Sequence, residues 1–344
     1  MIAEAYDGII LDARNQAVHP IEREGRARDE VRLLVSDAGG EHDRAFRDLP
    51  ALLRRGDLIV VNDSATMPAA LDATAERDGR VITIHLSTRL GAALWIVEPR
   101  GAAAETERFR LPFDGAVTLL APLARTQPRL WLARFDAAMP VEELLVLAGR
   151  PIAYAYVRER FPLADYQTVF ARIPGSAEMP SAARPFTPRV LAALRERGVD
   201  VAAITLHCGV ASGDLGEPPP LERFAVPHAT VATIERAQRS GGSVIAIGTT
   251  VVRALESARE DDGALRASAG LTELVVDRNR TPLVDGLLTG FHEPRASHIA
   301  MLEAFLAPER LGEAYRHAMR AGYRWHEFGD VHLIRRGSRP ASRG

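Results

Sequence analysis

Between Met67 and Pro140 the chain carries a series of short apolar runs with no helical period between them. "RVITIHLS", "ALWIVEPR", "AVTLLAP" and "RLWLARFD" are separated by Gly, Pro and Asp, and their apolar residues often alternate with polar ones. A period of two puts one set of side chains on each face of a strand. Strands at this spacing, without helices between them, predict a small antiparallel barrel or sandwich. On both sides of the block, strands alternate with helices instead. That contrast predicts an α/β domain, residues 1–66 and 141–344, with a mostly parallel sheet, and an inserted antiparallel β-barrel domain, residues 67–140.

Before the insertion, "VRLLVSD" reads as a strand, "FRDLPALLRR" as a helix closed by Gly56, and "DLIVVND" as a second strand. After it, Thr187 has the side chain of an N-cap, Pro188 suits the first helical position, and Gly198 ends that helix. "DVAAITLH", "SVIAIG", "LTELVVD" and "GDVHLI" read as strands. "ATVATIERAQRS", "TTVVRALESARE", "SHIAMLEAFLAP" and "ERLGEAYRHAMRAG" read as helices. Continuous apolar strands between helices mean a sheet covered on both faces. "GEPPP" reads as a loop and "RRGSRPASRG" as a frayed tail.

The 344 residues leave room for two domains. Cys208 is the only cysteine, which excludes an intrachain disulfide and any multi-cysteine metal site. Forty-three basic residues against 45 acidic ones give a net charge of −2, without the basic footprint common in nucleic-acid binders. All the basic residues are Arg, so neither a lysine Schiff base nor a phosphate-gripping lysine is available. No apolar run has membrane-spanning length and "MIAEAYDGII" does not look like a signal peptide. The expectation is a cytoplasmic protein without membrane contact, monomeric or homodimeric.

Ligands of parallel sheets bind beyond the carboxyl ends of the strands. Four segments place polar residues at such ends: "TLHCG" with His207, "GTT" with Gly248, Thr249 and Thr250 running into Arg253 and Glu256, "GFHEP" with Phe291 and His292, and "FGD" with Asp330. Each also has a purely structural reading. His207 suits a core-edge histidine, Thr249 or Thr250 an N-cap, Arg253 and Glu256 a helix-face pair, His292 a turn and Asp330 a cap. A strand that turns through Gly248 into a helix leaves free N–H groups at a positive helix end, which favours an anion. The chain has no G-x-G-x-x-G, P-loop, G-x-S-x-G or H-E-x-x-H. Pattern alone therefore reaches an α/β enzyme with a strand-end site.

Taken in order, "FRDLPALLRRGDLIVVND", "YQTVFA", "PGSAEMPSAARPFT", "ITLHCG", "VIAIGTTVVRALES", "VDGLLTGFHEP" and "YRWHEFGDVHLI" resemble the S-adenosylmethionine:tRNA ribosyltransferase-isomerase family of queuosine biosynthesis. The resemblance implies an α/β domain with an inserted barrel. It also implies that S-adenosylmethionine donates its ribosyl part to 7-aminomethyl-7-deazaguanine at the tRNA wobble position. A base takes a proton from the carbon beside the sulfonium, adenine and methionine leave, and epoxyqueuosine forms without a metal. Catalytic roles would fall among His207, His228, His292 and Asp330. Binding of S-adenosylmethionine would fall to Gly248, Thr249, Thr250, Arg253, Glu256 and Phe291, with the two threonines at its methionyl end.

The chain departs from the family pattern at named positions. Where the family reads Ala-Pro-Thr-Ala-Gly-Leu-His-Phe, this chain has Ala183 for the glycine and Pro185 for the histidine. Two family arginines are Ala65 and Ala70, and beside His228 a family glutamate is Thr230. Glu293, His298, His326, Glu327 and His332 stand where the family carries apolar or small residues. They form a chemically plausible metal-ligand set, although scattered surface histidines are the simpler reading and no metal is expected. Losing arginines removes phosphate contacts that neutral residues do not replace. Two alternatives follow: a paralogue that uses S-adenosylmethionine with a small-molecule acceptor in place of tRNA, and a non-catalytic binding protein on the same fold.

Overall fold

The computed structural model describes residues 4–6, 9, 13–124, 129–157, 159–211, 219–293 and 298–336. The tail beyond residue 336, Pro294 and most of "GEPPP" lie outside them. The first strands are β1 (Arg32–Asp37) and β2 (Gly40–Ala45), followed by α1 (Leu49–Leu52) and β3 (Leu58–Asn62). The helix expected over residues 46–55 stops at Leu52. Leu53 is already extended, and Arg54, Gly56 and Asp57 form a turn in which Arg54 N donates to Asp57 Oδ2 at 3.0 Å. Strand β2, "GEHDRA", was not read from the sequence, because it is an edge strand with no buried face.

Next come β4 (Ser64–Thr66), β5 (Ala70–Ala75), β6 (Val81–Arg89), β7 (Leu94–Arg100), β8 (Arg108–Arg110), β9 (Ala116–Pro122) and β10 (Trp131–Asp136). Strands β5 to β10 close into a barrel in the order β10-β7-β6-β5-β8-β9, every pair antiparallel. Alternation explains it. Trp131, Ala133 and Phe135 point into the barrel, while Arg134 and Asp136 face water. Helix α2 (Val141–Ala148) lays Val141, Leu144 and Leu145 on the same core.

The remaining elements are β11 (Ile173–Ser176), α3 (Pro188–Glu196), β12 (Asp200–Leu206), β13 (Glu222–Val226), α4 (His228–Arg239), β14 (Val244–Ile247), α5 (Thr249–Ser257), β15 (Ser268–Thr272), β16 (Gly286–Gly290), α6 (His298–Leu302), α7 (Pro308–Arg320) and β17 (Val331–Arg335). Thr187 caps α3 by accepting from Val190 N, and Gly198 is left-handed at φ 75°. "LTELVVD" shifts from the expected strand. The chain leaves β15 at Thr272, whose hydroxyl accepts from Leu274 N at 3.1 Å.

Nine strands form the main sheet in the order β15-β13-β12-β3-β14-β16-β17-β1-β2. The sheet is mixed. β12, β3, β14 and β16 are parallel neighbours, as are β17 and β1, while the other four pairings are antiparallel. β3 and β14 are buried at every residue, which is why their apolar runs do not alternate. The barrel meets this sheet through backbone and hydroxyl bonds. Val210 N donates to Ser87 Oγ at 3.0 Å, and Thr88 Oγ1 donates to Leu221 O at 2.6 Å. Among the described residues no helix is long and apolar enough to cross a membrane.

Candidate active site

Four parallel strands, β12, β3, β14 and β16, end at one edge of the sheet. β17 runs antiparallel to β16, so its beginning lies at that edge. A cavity of about 710 Å³ opens there. Its wall takes Cys208, Gly209 and Val210 after β12, Gly248–Thr250 after β14, and Phe291–Glu293 after β16. His326 and Glu327 come from the segment before β17, and Ala177, Glu178 and Met179 from the segment after β11. Ile152, Tyr154 and Tyr156 add every second residue of a stretch that ends in a turn, where Val157 N donates to Tyr154 O at 2.9 Å.

Gly248 makes the strand-to-helix turn at φ 99° and ψ 150°, a conformation costly for any residue with a Cβ. No side chain caps α5, and the residues at its start, Gly248, Thr249 and Thr250, line the cavity. Thr250 Oγ1 accepts from Asn62 Nδ2 at 3.3 Å, which ties this turn to the end of β3. One turn into the helix, Arg253 is buried and its guanidinium bonds to Glu222. Glu222 also accepts from Gly209 N at 2.7 Å. Arg253 is thus a neutralised member of the wall, not a free cation.

Two carboxyl–phenol pairs stand side by side. Tyr154 Oη donates to Glu178 Oε1, and Tyr156 Oη donates to Glu327 Oε2. The tyrosine rings stack with centroids 6.0 Å apart, and Tyr156 stacks on His326 at 4.0 Å. Ala211 N adds a second bond to Glu178 Oε1 at 2.7 Å. Burial pushes the Glu178 carboxyl up to about 7, against the opposing pull of Tyr154 and Ala211, and burial also raises Glu327. The imidazoles move the other way. Burial, with the imidazoles of His298 and His326 close by to oppose a second proton, holds His292 well below its ordinary range, and burial brings His298 and His326 down to about 4. His292 and His298 stack in parallel at 4.1 Å, and His292 Nε2 lies 3.0 Å from Thr289 Oγ1.

The structure brings Gly248, Thr249, Thr250, Arg253, Phe291 and His292 to this cavity. The other expected site residues lie outside the lining of this cavity. His207 neighbours Cys208, and side chains alternate in extended chain, so its ring points away and covers Gly175. Its Nδ1 lies 2.8 Å from Ser64 Oγ. His228 is the exposed first residue of α4. Asp330 is buried and accepts from Arg32 N at 2.7 Å and Arg324 N at 2.8 Å, so it closes the turn into β17. Glu256 is buried behind α5, where it accepts from Leu283 N at 2.7 Å and Arg280 Nε at 2.6 Å.

Ala183 is the last residue of a short 3-10 turn and packs into the apolar core, and neither it nor Pro185 lines the cavity. Its backbone is not left-handed, so the position makes no demand for glycine. Of the residues considered as metal ligands, Glu293, His298, His326 and Glu327 do line the cavity, but His332 is in the core, bonded to Ser36 at 2.8 Å. Among the described residues no three His, Cys, Asp or Glu side chains form a metal-holding group. Sequence reasoning missed Glu178, Glu222 and the tyrosines. The period-two spacing of "IAYAY" and a lone glutamate between Ala177 and Met179 were the available signals.

Residues 9–334 match the sequence profile of a family described as queuosine biosynthesis protein. The chain is 35% identical over 343 residues to the S-adenosylmethionine:tRNA ribosyltransferase-isomerase of Gloeobacter violaceus, covering 97% of this chain and 96% of the relative. It is 37% identical over 340 residues to the enzyme of that name from Moorella thermoacetica, covering 92% and 95%. The crystal structure of an S-adenosylmethionine tRNA ribosyltransferase from Thermotoga maritima has a similar fold. Its TM-score is 0.54 at 27% identity, with 96% of this chain and all of that chain covered.

Proposed function

The chain belongs to the S-adenosylmethionine:tRNA ribosyltransferase-isomerase family of queuosine biosynthesis, and from that premise we propose the reaction it carries out. It moves the ribosyl part of S-adenosylmethionine to 7-aminomethyl-7-deazaguanine at the tRNA wobble position, forming epoxyqueuosine and releasing adenine and methionine. The observation that carries this reading is the family match through both the sheet and the barrel, residues 9–334. The small-molecule acceptor and the non-catalytic scaffold find no comparable support, since the names of the relatives specify tRNA. The cytoplasm is the compartment that goes with this reaction.

Within the cavity, the amides at the start of α5, at Thr249 and Thr250, receive the methionyl carboxylate. A helix N-terminus there supplies free N–H donors and about half a positive charge. Among His207, His228, His292 and Asp330, only His292 borders the cavity. Its imidazole is neutral near pH 7, and Thr289 holds its ring through Nε2. Incubating the protein with S-adenosylmethionine and tRNA bearing the aminomethyl base should give epoxyqueuosine and free adenine by mass spectrometry. If neither product forms at enzyme concentrations equal to the tRNA, this reading is wrong.

A further inference from the structure

The cavity wall is acidic and its one described guanidinium is already paired. Glu178, Glu222, Glu293 and Glu327 all line it, and among the described lining residues only Arg253 is a fixed cation, bonded to Glu222. The imidazoles add no charge near pH 7, because burial keeps them neutral. An anionic group has a place at the α5 N-terminus but none beside the two carboxyl–phenol pairs. Those pairs are held in position from several sides. Glu178 Oε1 is fixed by both Tyr154 and Ala211 N, and no hydrogen bond of the described residues engages its Oε2. Tyr166 supplies an independent sign of a missing ligand. It is 4% exposed, lines the same cavity, and its hydroxyl has no partner among the described residues. A buried hydroxyl left unbonded costs about 1–3 kcal/mol, so a site that keeps one in its wall expects a partner from the ligand.

We propose that Glu178 and Glu327, with Tyr154, Tyr156 and Tyr166, form a receptor for a compact organic cation. The inference rests on the proposed reaction for the choice of cation, which offers two sources of the same chemistry: the sulfonium of S-adenosylmethionine and the protonated aminomethyl group of the acceptor base. Seating either one beside Glu178 favours its carboxylate and expels the carboxyl proton to solvent. The charged and titratable groups facing Glu178 are Tyr154, Glu327 and, from the barrel, Glu98. Those facing Glu327 are Tyr156, Arg184, Glu178, Tyr154 and Tyr166. Because Glu178 sits at about 7 in the free protein, cation binding should tighten as pH rises through that value.

Calorimetry with two matched pairs of ligands tests this. S-adenosylmethionine is compared with S-adenosylhomocysteine, which lacks the sulfonium charge, and the free aminomethyl base with its uncharged 7-cyano counterpart. We expect at least one charged member to bind tenfold tighter than its partner at pH 8, with a smaller preference at pH 6. The pair that shows the preference identifies the source. In Glu178→Gln/Glu327→Gln the preference should fall below threefold, and each single variant should lose part of it. The pH dependence of the unaltered protein needs no variant and guards against a folding defect. No preference in either pair, a preference that ignores pH, or one that survives in the double variant overturns the proposal. The readout is binding, so the two readings fail separately. A carboxyl-dependent preference without epoxyqueuosine rejects the reaction and keeps the site, whereas product without a preference does the reverse.

Discussion

Gly248 shows how a single backbone angle creates a binding position. At φ 99° a Cβ would sit 3.4 Å from Thr250 Oγ1 and 3.6 Å from the Ala182 Cβ, and the angle itself is strained for any L side chain. Gly248→Ala should therefore lower unfolding free energy by about 1–3 kcal/mol, read from urea midpoints. It should also weaken S-adenosylmethionine at least tenfold by turning the α5 amides. Thr250→Val keeps those amides and removes only the hydroxyl that accepts from Asn62. Its affinity should stay within threefold if the amides hold the carboxylate. A tenfold loss in Thr250→Val with no loss in Gly248→Ala would reject the amide assignment. His326 carries comparable strain, a non-glycine at φ 75° that stacks on Tyr156 in the cavity wall. Gly248 was legible from the Gly-Thr-Thr punctuation between strand and helix. Glu178 was not, because a lone glutamate has no periodic signature.

Helix α5 separates two roles that its sequence mixes. Arg253 and Glu256 lie three residues apart, a spacing that allows a pair on one face. In the fold each turns to a different partner, Arg253 to Glu222 on the cavity side and Glu256 to Arg280 and Leu283 N behind it. Glu256 is 2% exposed, so removing it strands a backbone N–H and a guanidinium. Glu256→Ala should cost about 1–3 kcal/mol of stability by chemical denaturation, with S-adenosylmethionine affinity unchanged. An affinity loss exceeding tenfold in a folded variant would return Glu256 to the binding site. At this scale the sequence was readable where both faces of an element share one environment. β3 and β14 are apolar throughout, and α3 has a cap, a proline and a closing glycine. It was unreadable at β2, an edge strand with no buried face, and at β13, whose alternating burial is disguised in the sequence by a glutamate, Glu222, at a buried position.

Across the whole molecule, several histidines are folded away as neutral imidazoles. His298 and His326 are held down to about 4 and the fully buried His332 to about 3, all by burial, against an ordinary value of 6.5. A depressed folded value means the unfolded chain binds the proton first. The stabilisation is complete above 6.5 and is lost as pH falls from there toward 4. Glu178 acts in the opposite sense. Its value is raised, so its contribution is full below 4.5 and fades as pH rises through about 7. His332→Gln keeps a polar partner for Ser36 and removes one titration. Between pH 6.5 and 4 its stability should depend less steeply on pH, by up to about 1.4 kcal/mol per pH unit. Superimposable slopes for the two proteins would show that His332 is not a neutral buried imidazole.

By itself the sequence determined the division into barrel and sheet, the central strands, the turn at Gly248 and the family. These rest on local periodicity, on turn chemistry and on the order of motifs along the chain. Only the tertiary structure decided which polar residues share the cavity. Strand direction placed the start of β17, not its end, at the site edge, which admitted His326 and Glu327 and left Asp330 behind in the turn. Alternation then turned Cys208 inward and His207 outward. The segments carrying Tyr154, Glu178 and Glu327 lie far apart along the chain. Their meeting is a property of the packing between barrel and sheet, which no short stretch of sequence encodes.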